Sequence, residues 1–145
     1  MLRTNKKGFT LLEVIVVIII LGVLAALALP RLFSNIEFSR SAEALNSIGA
    51  VRQSVERCAT MSGDVYTNCN TFSPGGNLDL NDPAAEPGAH FAYVVTPGAA
   101  AGNYTVTATR NAVDTGDGTS TVTLTVSRTA GTITRAGTGV FSSIQ

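Results

Sequence analysis

The chain has 145 residues and a formal net charge of zero, ten Lys and Arg balancing ten Asp and Glu. That length leaves room for one globular domain beside any long helix. That balance does not suggest a nucleic-acid surface, and two cysteines with a single distant histidine, His90, make a poor set for a zinc centre.

Residues 1–8 form a basic leader carrying Arg3, Lys6 and Lys7 and ending at Gly8. From Phe9 to Leu29 come 21 residues in which Glu13 is the only charge, followed by Pro30 and Arg31. As a helix rising ~1.5 Å per residue, this run spans the ~30 Å hydrocarbon core of a bilayer. The positive leader predicts a cytoplasmic N-terminus and an exported remainder. A secretory signal would place its cleavage site after a shorter apolar core. Here the candidate cleavage point, Lys6-Lys7-Gly8-Phe9, precedes the apolar run, so processing would leave the helix on the mature chain. Without the leader the chain keeps 10 − 3 = 7 basic residues, all arginine, against ten acids.

Glu13 is the anomaly in this span. A lone carboxylate among apolar residues costs about 2.5 kcal/mol or more on insertion scales, and no basic residue between Phe9 and Leu29 offsets it. Either it reaches the interface, four residues from Phe9, or its partner comes from another subunit.

Lys7-Gly8-Phe9-Thr10-Leu11-Leu12-Glu13 resembles the class III signal of type IV prepilins and type II secretion pseudopilins, and Gly22 and Pro30 stand where those families keep a glycine and a proline. The resemblance covers about 25 residues and joins cleavage site, carboxylate, apolar span and proline in one register. It implies cleavage after Gly8 by a prepilin peptidase/methyltransferase and methylation of the new Phe9 terminus. It further implies packing of the apolar helices into a homo-oligomeric helical filament. There Glu13 would neutralise the terminal amine of a neighbouring Phe9, and the helix would melt locally between Gly22 and Pro30. The implied setting is the inner membrane, single-pass and beside an assembly platform, before assembly, and an extracellular filament afterwards.

Residues 31–63 continue the helix with an amphipathic pattern. Apolar Leu32, Ile36, Ala42, Leu45, Ile48, Val51 and Val55 recur near a 3.6 period, with Arg40, Glu43, Ser47, Arg52, Glu56 and Arg57 largely on other faces. Phe9, Phe33 and Phe38 read as packing residues, and Gly63 is a predicted stop. Residues 64–89 read as a loop rich in turn signals such as Ser73-Pro74-Gly75-Gly76-Asn77. If this part is exported, the compartment is oxidising and Cys58 and Cys69 are expected to pair, two free thiols being the alternative. Asn77-Leu78-Asp79-Leu80-Asn81 alternates, as a short strand or the opening of a calcium loop would, but Asp82 and Gly88 stand where such a loop needs glycine and glutamate.

Residues 90–145 have β texture. Phe91–Thr96, Tyr104–Thr109, Thr121–Val126 and the short Thr132–Thr134 are predicted strands, with Asp114–Gly118 turning the second into the third. One face of the alternating strands is apolar and the other rich in threonine, as in an antiparallel sheet wet on one side. The apolar face needs cover, and the helix stripe from Leu45 to Val55 is available. The predicted fold is therefore α+β: a long N-terminal helix, half hydrophobic and half amphipathic, packed on a C-terminal antiparallel sheet of about four strands.

No catalytic constellation is present: His90 is solitary at a strand start, and Asp114 and Asp117 read as turn residues. No cofactor and no metal ligand set is expected. Asn103-Tyr104-Thr105 matches the glycosylation pattern, a short motif common by chance. The reading is a structural subunit of a type IV pilus serving adhesion, motility or DNA uptake, a substrate of enzymes and not an enzyme. Its alternative is a pseudopilin of a type II secretion system, whose major member typically carries an acid-rich calcium site near its C-terminus. Here no acid follows Asp117. A membrane-tethered module that never polymerises would leave Glu13 and Gly8-Phe9 without a reason.

Overall fold

A computed structural model describes residues 8–113 and 116–144. Most of the basic leader, with Arg3, Lys6 and Lys7, and the turn residues Asp114 and Thr115 lie outside the described residues. The chain divides into two units, one running to Ile36 and one from Glu37 onward.

A single helix, α1 (Leu11–Met61), supplies the first unit and enters the second. Val14 to Ile20 is a β-branched run, an indifferent helix former in water. It is helical because a helix satisfies its own backbone, the arrangement hydrocarbon demands. Pro30 lies inside α1 without ending it. All residues from Gly8 to Phe33 are exposed in the single chain, including Leu32 and Phe33, which the sequence pattern had assigned to packing.

In the second unit the core-facing stripe of α1 is Ala44, Ile48, Val51, Val55, Cys58 and Ala59, with Leu45 half-buried. Ile48, Val51 and Val55 are buried as predicted, but Ala42 is exposed and Ala44, fully buried, takes its place in the stripe. The cause is spacing, since 44, 48, 51, 55 and 58 keep to steps of four and three along one face. Phe38 is exposed as well. Gly63 stops the helix as predicted, at φ +70°, with the Asp64 amide donating to the Ala59 carbonyl at 2.8 Å.

The alternating segment 77–81 forms neither a strand nor a cation loop. Leu78 is buried, Asn81 makes one isolated bridge to Ser73, and the Asp79 carboxylate is taken by Ser54 and Arg57 of the helix. A short 3-10 turn, Pro83–Ala85, comes next, with Asp82 Oδ1 accepting from the Ala84 amide at 2.9 Å.

Four strands then form one antiparallel sheet in sequence order: β1 (Phe91–Pro97), β2 (Tyr104–Arg110), β3 (Thr121–Ser127) and β4 (Thr132–Gly137). The last strand is twice its predicted length. Register sets Val95 opposite Val106 and Val106 opposite Leu124 on the core face. On the other face Thr105, Thr107 and Thr109 stand opposite Thr125, Thr123 and Thr121. The core face joins the helix stripe in one cluster with Tyr66, Cys69, Leu78 and Phe141. β4 departs from this order, because the core does not extend over it and residues 132–136 are exposed.

Candidate functional site

The N-terminus of α1 is built by the side chain of Thr10. Its hydroxyl accepts from the Glu13 amide at 3.2 Å, and its carbonyl takes the first helical bond, from Val14 at 3.3 Å. Thr10-x-x-Glu13 is thus a capping-box spacing, and Glu13 stands in the first turn, where the helix dipole favours a carboxylate. The signal for that local role is Thr-x-x-Glu before an apolar run, and it is missed when Glu13 is read only as a charge out of place. Glu13 lies in the exposed first turn of α1, and Phe9, two residues before the helix begins, is 81% exposed. Gly22 and Pro30 lie further along the same exposed, apolar half of a helix long enough to cross a membrane. A Cβ added at Gly22 would meet nothing within 4 Å, so nothing inside one chain requires glycine there.

Cys58 and Cys69 are joined, with Cα atoms 5.9 Å apart, as expected for an exported head. The bond ties the last turns of α1 to the loop that carries Tyr66 into the core.

Three helix carboxylates grip the sheet, and two of them, Glu43 and Glu56, are residues that the amphipathic pattern had set largely apart from the apolar stripe. Glu37 holds Arg110, a fully buried guanidinium at the end of β2, with Nε donating at 3.0 Å. Arg110 also donates to the carbonyl of His90 at 3.1 Å and lies over the Phe91 ring. Glu43 accepts from the His90 amide at 3.1 Å and stands 2.8 Å from its Nδ1, so the histidine is a strut between helix and sheet. Glu56 accepts from Tyr104, Tyr66 and Arg128 at 2.8–2.9 Å. Burial pushes the Glu56 carboxyl up, but bonds from Arg128, Tyr104 and Tyr66 together hold it below its ordinary value. Helical periodicity could not reveal these roles: a carboxylate on the flank of a helix and one on its back look alike until the sheet is in place.

Asp117 caps the turn into β3, accepting from the amides of Thr119 and Ser120 at 3.0 and 2.9 Å and from the Ser120 hydroxyl. These bonds hold its carboxyl at about 2. Asn103 Oδ1 accepts from the Thr129 hydroxyl at 3.2 Å, tying the β1–β2 connection to the β3–β4 turn. Among the described residues no three His, Cys, Asp or Glu side chains gather as a metal site would require.

Residues 3–29 match the model of the prokaryotic N-terminal methylation motif. Fimbrial protein EcpC of Eikenella corrodens is 32% identical over 130 residues, 90% of this chain and 79% of that protein. The chain belongs to the type IV pilin and pseudopilin superfamily. As a pilin-like chain it also resembles the type IV major fimbrial protein FimA of Dichelobacter nodosus, 31% identical over 94 residues, 60% of each chain. The type II secretion system core protein G of Aeromonas hydrophila is 43% identical over 91 residues, 60% of this pilin-like chain and 58% of that protein. The chain thus spans about three-fifths of the length of these last two relatives.

Proposed function

We propose that the chain is a structural subunit of a type IV pilus that polymerises through the apolar half of α1 into an extracellular filament. One observation carries this reading: the helix exposes its whole surface from Leu11 to Phe33, with Glu13 as its single charge before Arg31, directly after a methylation motif. A surface of that kind needs lipid or other copies of itself. In the proposed sequence the precursor spans the inner membrane, a prepilin peptidase/methyltransferase cuts after Gly8 and methylates Phe9, and an inner-membrane platform feeds the subunit into the filament. The new terminal amine pairs with Glu13 of a neighbour. Neighbouring chains then compensate for unwinding between Gly22 and Pro30, the weakest helix formers in the span. The chain itself catalyses nothing.

Replacing Glu13 by Val tests the pairing. Expression, insertion and the fold of the head are expected to remain, with filament yield sharply reduced. Normal yield from Glu13→Val in cells lacking wild-type protein would remove the carboxylate from assembly. A pseudopilin of a type II secretion system is the second reading, favoured by the 43% identity to protein G. The absence of any acid after Asp117 weighs against it, since the calcium site of the major pseudopilin has no counterpart in the sequence. Sheared surface filaments containing this subunit, identified by mass spectrometry, would decide for the pilus.

A further inference from the structure

The two long flanks of the head carry opposite charge. On one side the helix stops short of β4, although register places Ile133 and Arg135 on the same face as Val126 and Leu124 of the core. The result is an open groove of about 530 Å³ formed by Arg52 of α1 with Ile133, Thr134 and Arg135 of β4. A second groove, of about 260 Å³, adjoins it at Arg52 and Ile133 and adds Arg128 with Glu56, which pair at 2.8 Å, so the unbalanced charge of this flank is that of Arg52 and Arg135. Ile133 is 48% exposed, an apolar floor between guanidiniums, and β4 offers an unpaired strand edge. Among the described residues Arg135 has no ion pair within the chain.

The opposite flank lies beyond β1, where the Pro83–Ala85 turn packs on that strand. There Asp82 caps the turn, and Glu86 comes directly after it, exposed and with no ion pair among the described residues. Pro83 and Pro87 bracket this segment and each fixes its own φ, which lowers the ordering cost of holding the segment against a partner. One flank is thus a cationic groove with an apolar floor, and the other carries an exposed acidic segment between two prolines.

We propose that the heads of two copies dock through these flanks, the Glu86 carboxylate of one copy facing the Arg52–Arg135 groove of the next. The contact is heterologous, because each copy uses one flank to give and the other to receive, and such contacts repeat without closing unless the rotation makes a ring. An open series of this kind is what a filament needs from its outer layer. The proposal rests on the polymer reading above and adds to it the head surface and the charges that set its register. Opposed charges across the contact would steer docking and penalise wrong registers.

The test uses full-length chains assembled in cells lacking the wild-type subunit. Arg135→Glu and Glu86→Arg are each expected to lower sheared-filament yield about tenfold, and the two changes in one chain to restore it, because the reversed charges again face each other. Both residues are exposed, so the head should fold, which protease resistance and an intact Cys58–Cys69 bond would verify. As an independent readout, filaments of a Glu86→Cys, Arg135→Cys chain should give a ladder of disulfide-linked multimers on non-reducing gels, and neither single variant should pass beyond dimers. Filaments that form normally in both charge variants, or that form without a ladder, overturn the docking and leave the polymer reading standing. No filaments from the wild-type chain overturn both.

Discussion

At the scale of single residues, the least expected feature is Arg110, a fully buried guanidinium answered by Glu37 and by the His90 carbonyl. Removing one partner of such a pair leaves the other groups desolvated and unmatched, at a cost of about 3–5 kcal/mol. Arg110→Ala should therefore lower the urea unfolding midpoint of the head severely. A loss no larger than that of an ordinary surface substitution would show that water replaces the guanidinium. Asp79 and Asp117 carry the acid response. Bonds from Arg57 and Ser54 to the first, and from Ser120 and Thr119 to the second, hold both carboxyls at about 2, against an ordinary 3.8. Depressed carboxyl values mean that the unfolded chain binds more protons in the acid range, so their contribution is complete above about pH 4 and fades as pH falls toward about 2. Thermal melts of the Asp117→Asn chain should show a shallower loss of stability across that window than melts of the unaltered chain.

At the scale of elements, α1 belongs to two environments. Its exposed half obeys the membrane rule that backbone groups be satisfied within the helix, and its second half obeys the packing of a soluble core. The Cys58–Cys69 bond fastens the end of that second half to the adjoining loop. In the chain-entropy view a closure of this length contributes roughly 2–3 kcal/mol, mainly by restricting the unfolded chain. A chain with both cysteines changed to alanine should lose about that much in chemical denaturation of the head, while membrane insertion of the first half stays unchanged. Equal unfolding curves with and without the bond would deny it a stabilising role. The helix covers the core face of three strands and leaves that of the fourth open, so β4 is an edge strand whose inner face is exposed as well.

At the scale of the whole molecule, an apolar helix that is exposed over its length cannot stay in water as a monomer. Processing sets its fate. Cutting after Gly8 would remove Arg3, Lys6 and Lys7, leave a chain of net charge −3 (seven arginines against ten acids), and create a positive terminus four residues from Glu13. Mass spectrometry of the filament subunit is expected to find a mature chain beginning at methylated Phe9. A subunit that retains Met1 or Leu2 would contradict that order of events.

The α+β layout, the four strands, the Gly63 stop and the pairing of Cys58 with Cys69 were all legible in the sequence. Each depends on information within a few residues: a period of two in Tyr104–Thr109, a glycine after a helical run, two thiols close together in an exported segment. Glu13 drew notice for a related reason, since a charge in an apolar span stands out without any partner in view, whereas the roles proposed for Gly8 and Phe9 came from the resemblance of their surroundings to the prepilin signal. What only the tertiary structure decided was which polar residues face one another. Glu37 and Arg110 are 73 positions apart, and Glu43 and His90 are 47 apart, so no periodicity links them. The pattern around Asp79 left a short strand and the opening of a calcium loop both open, and only the contacts with Arg57 and Ser54 showed what its carboxylate does. Likewise, Ile133 alternates as a core residue should, yet stays exposed, because strand pattern records which face a side chain takes and says nothing of how far the helix reaches across that face.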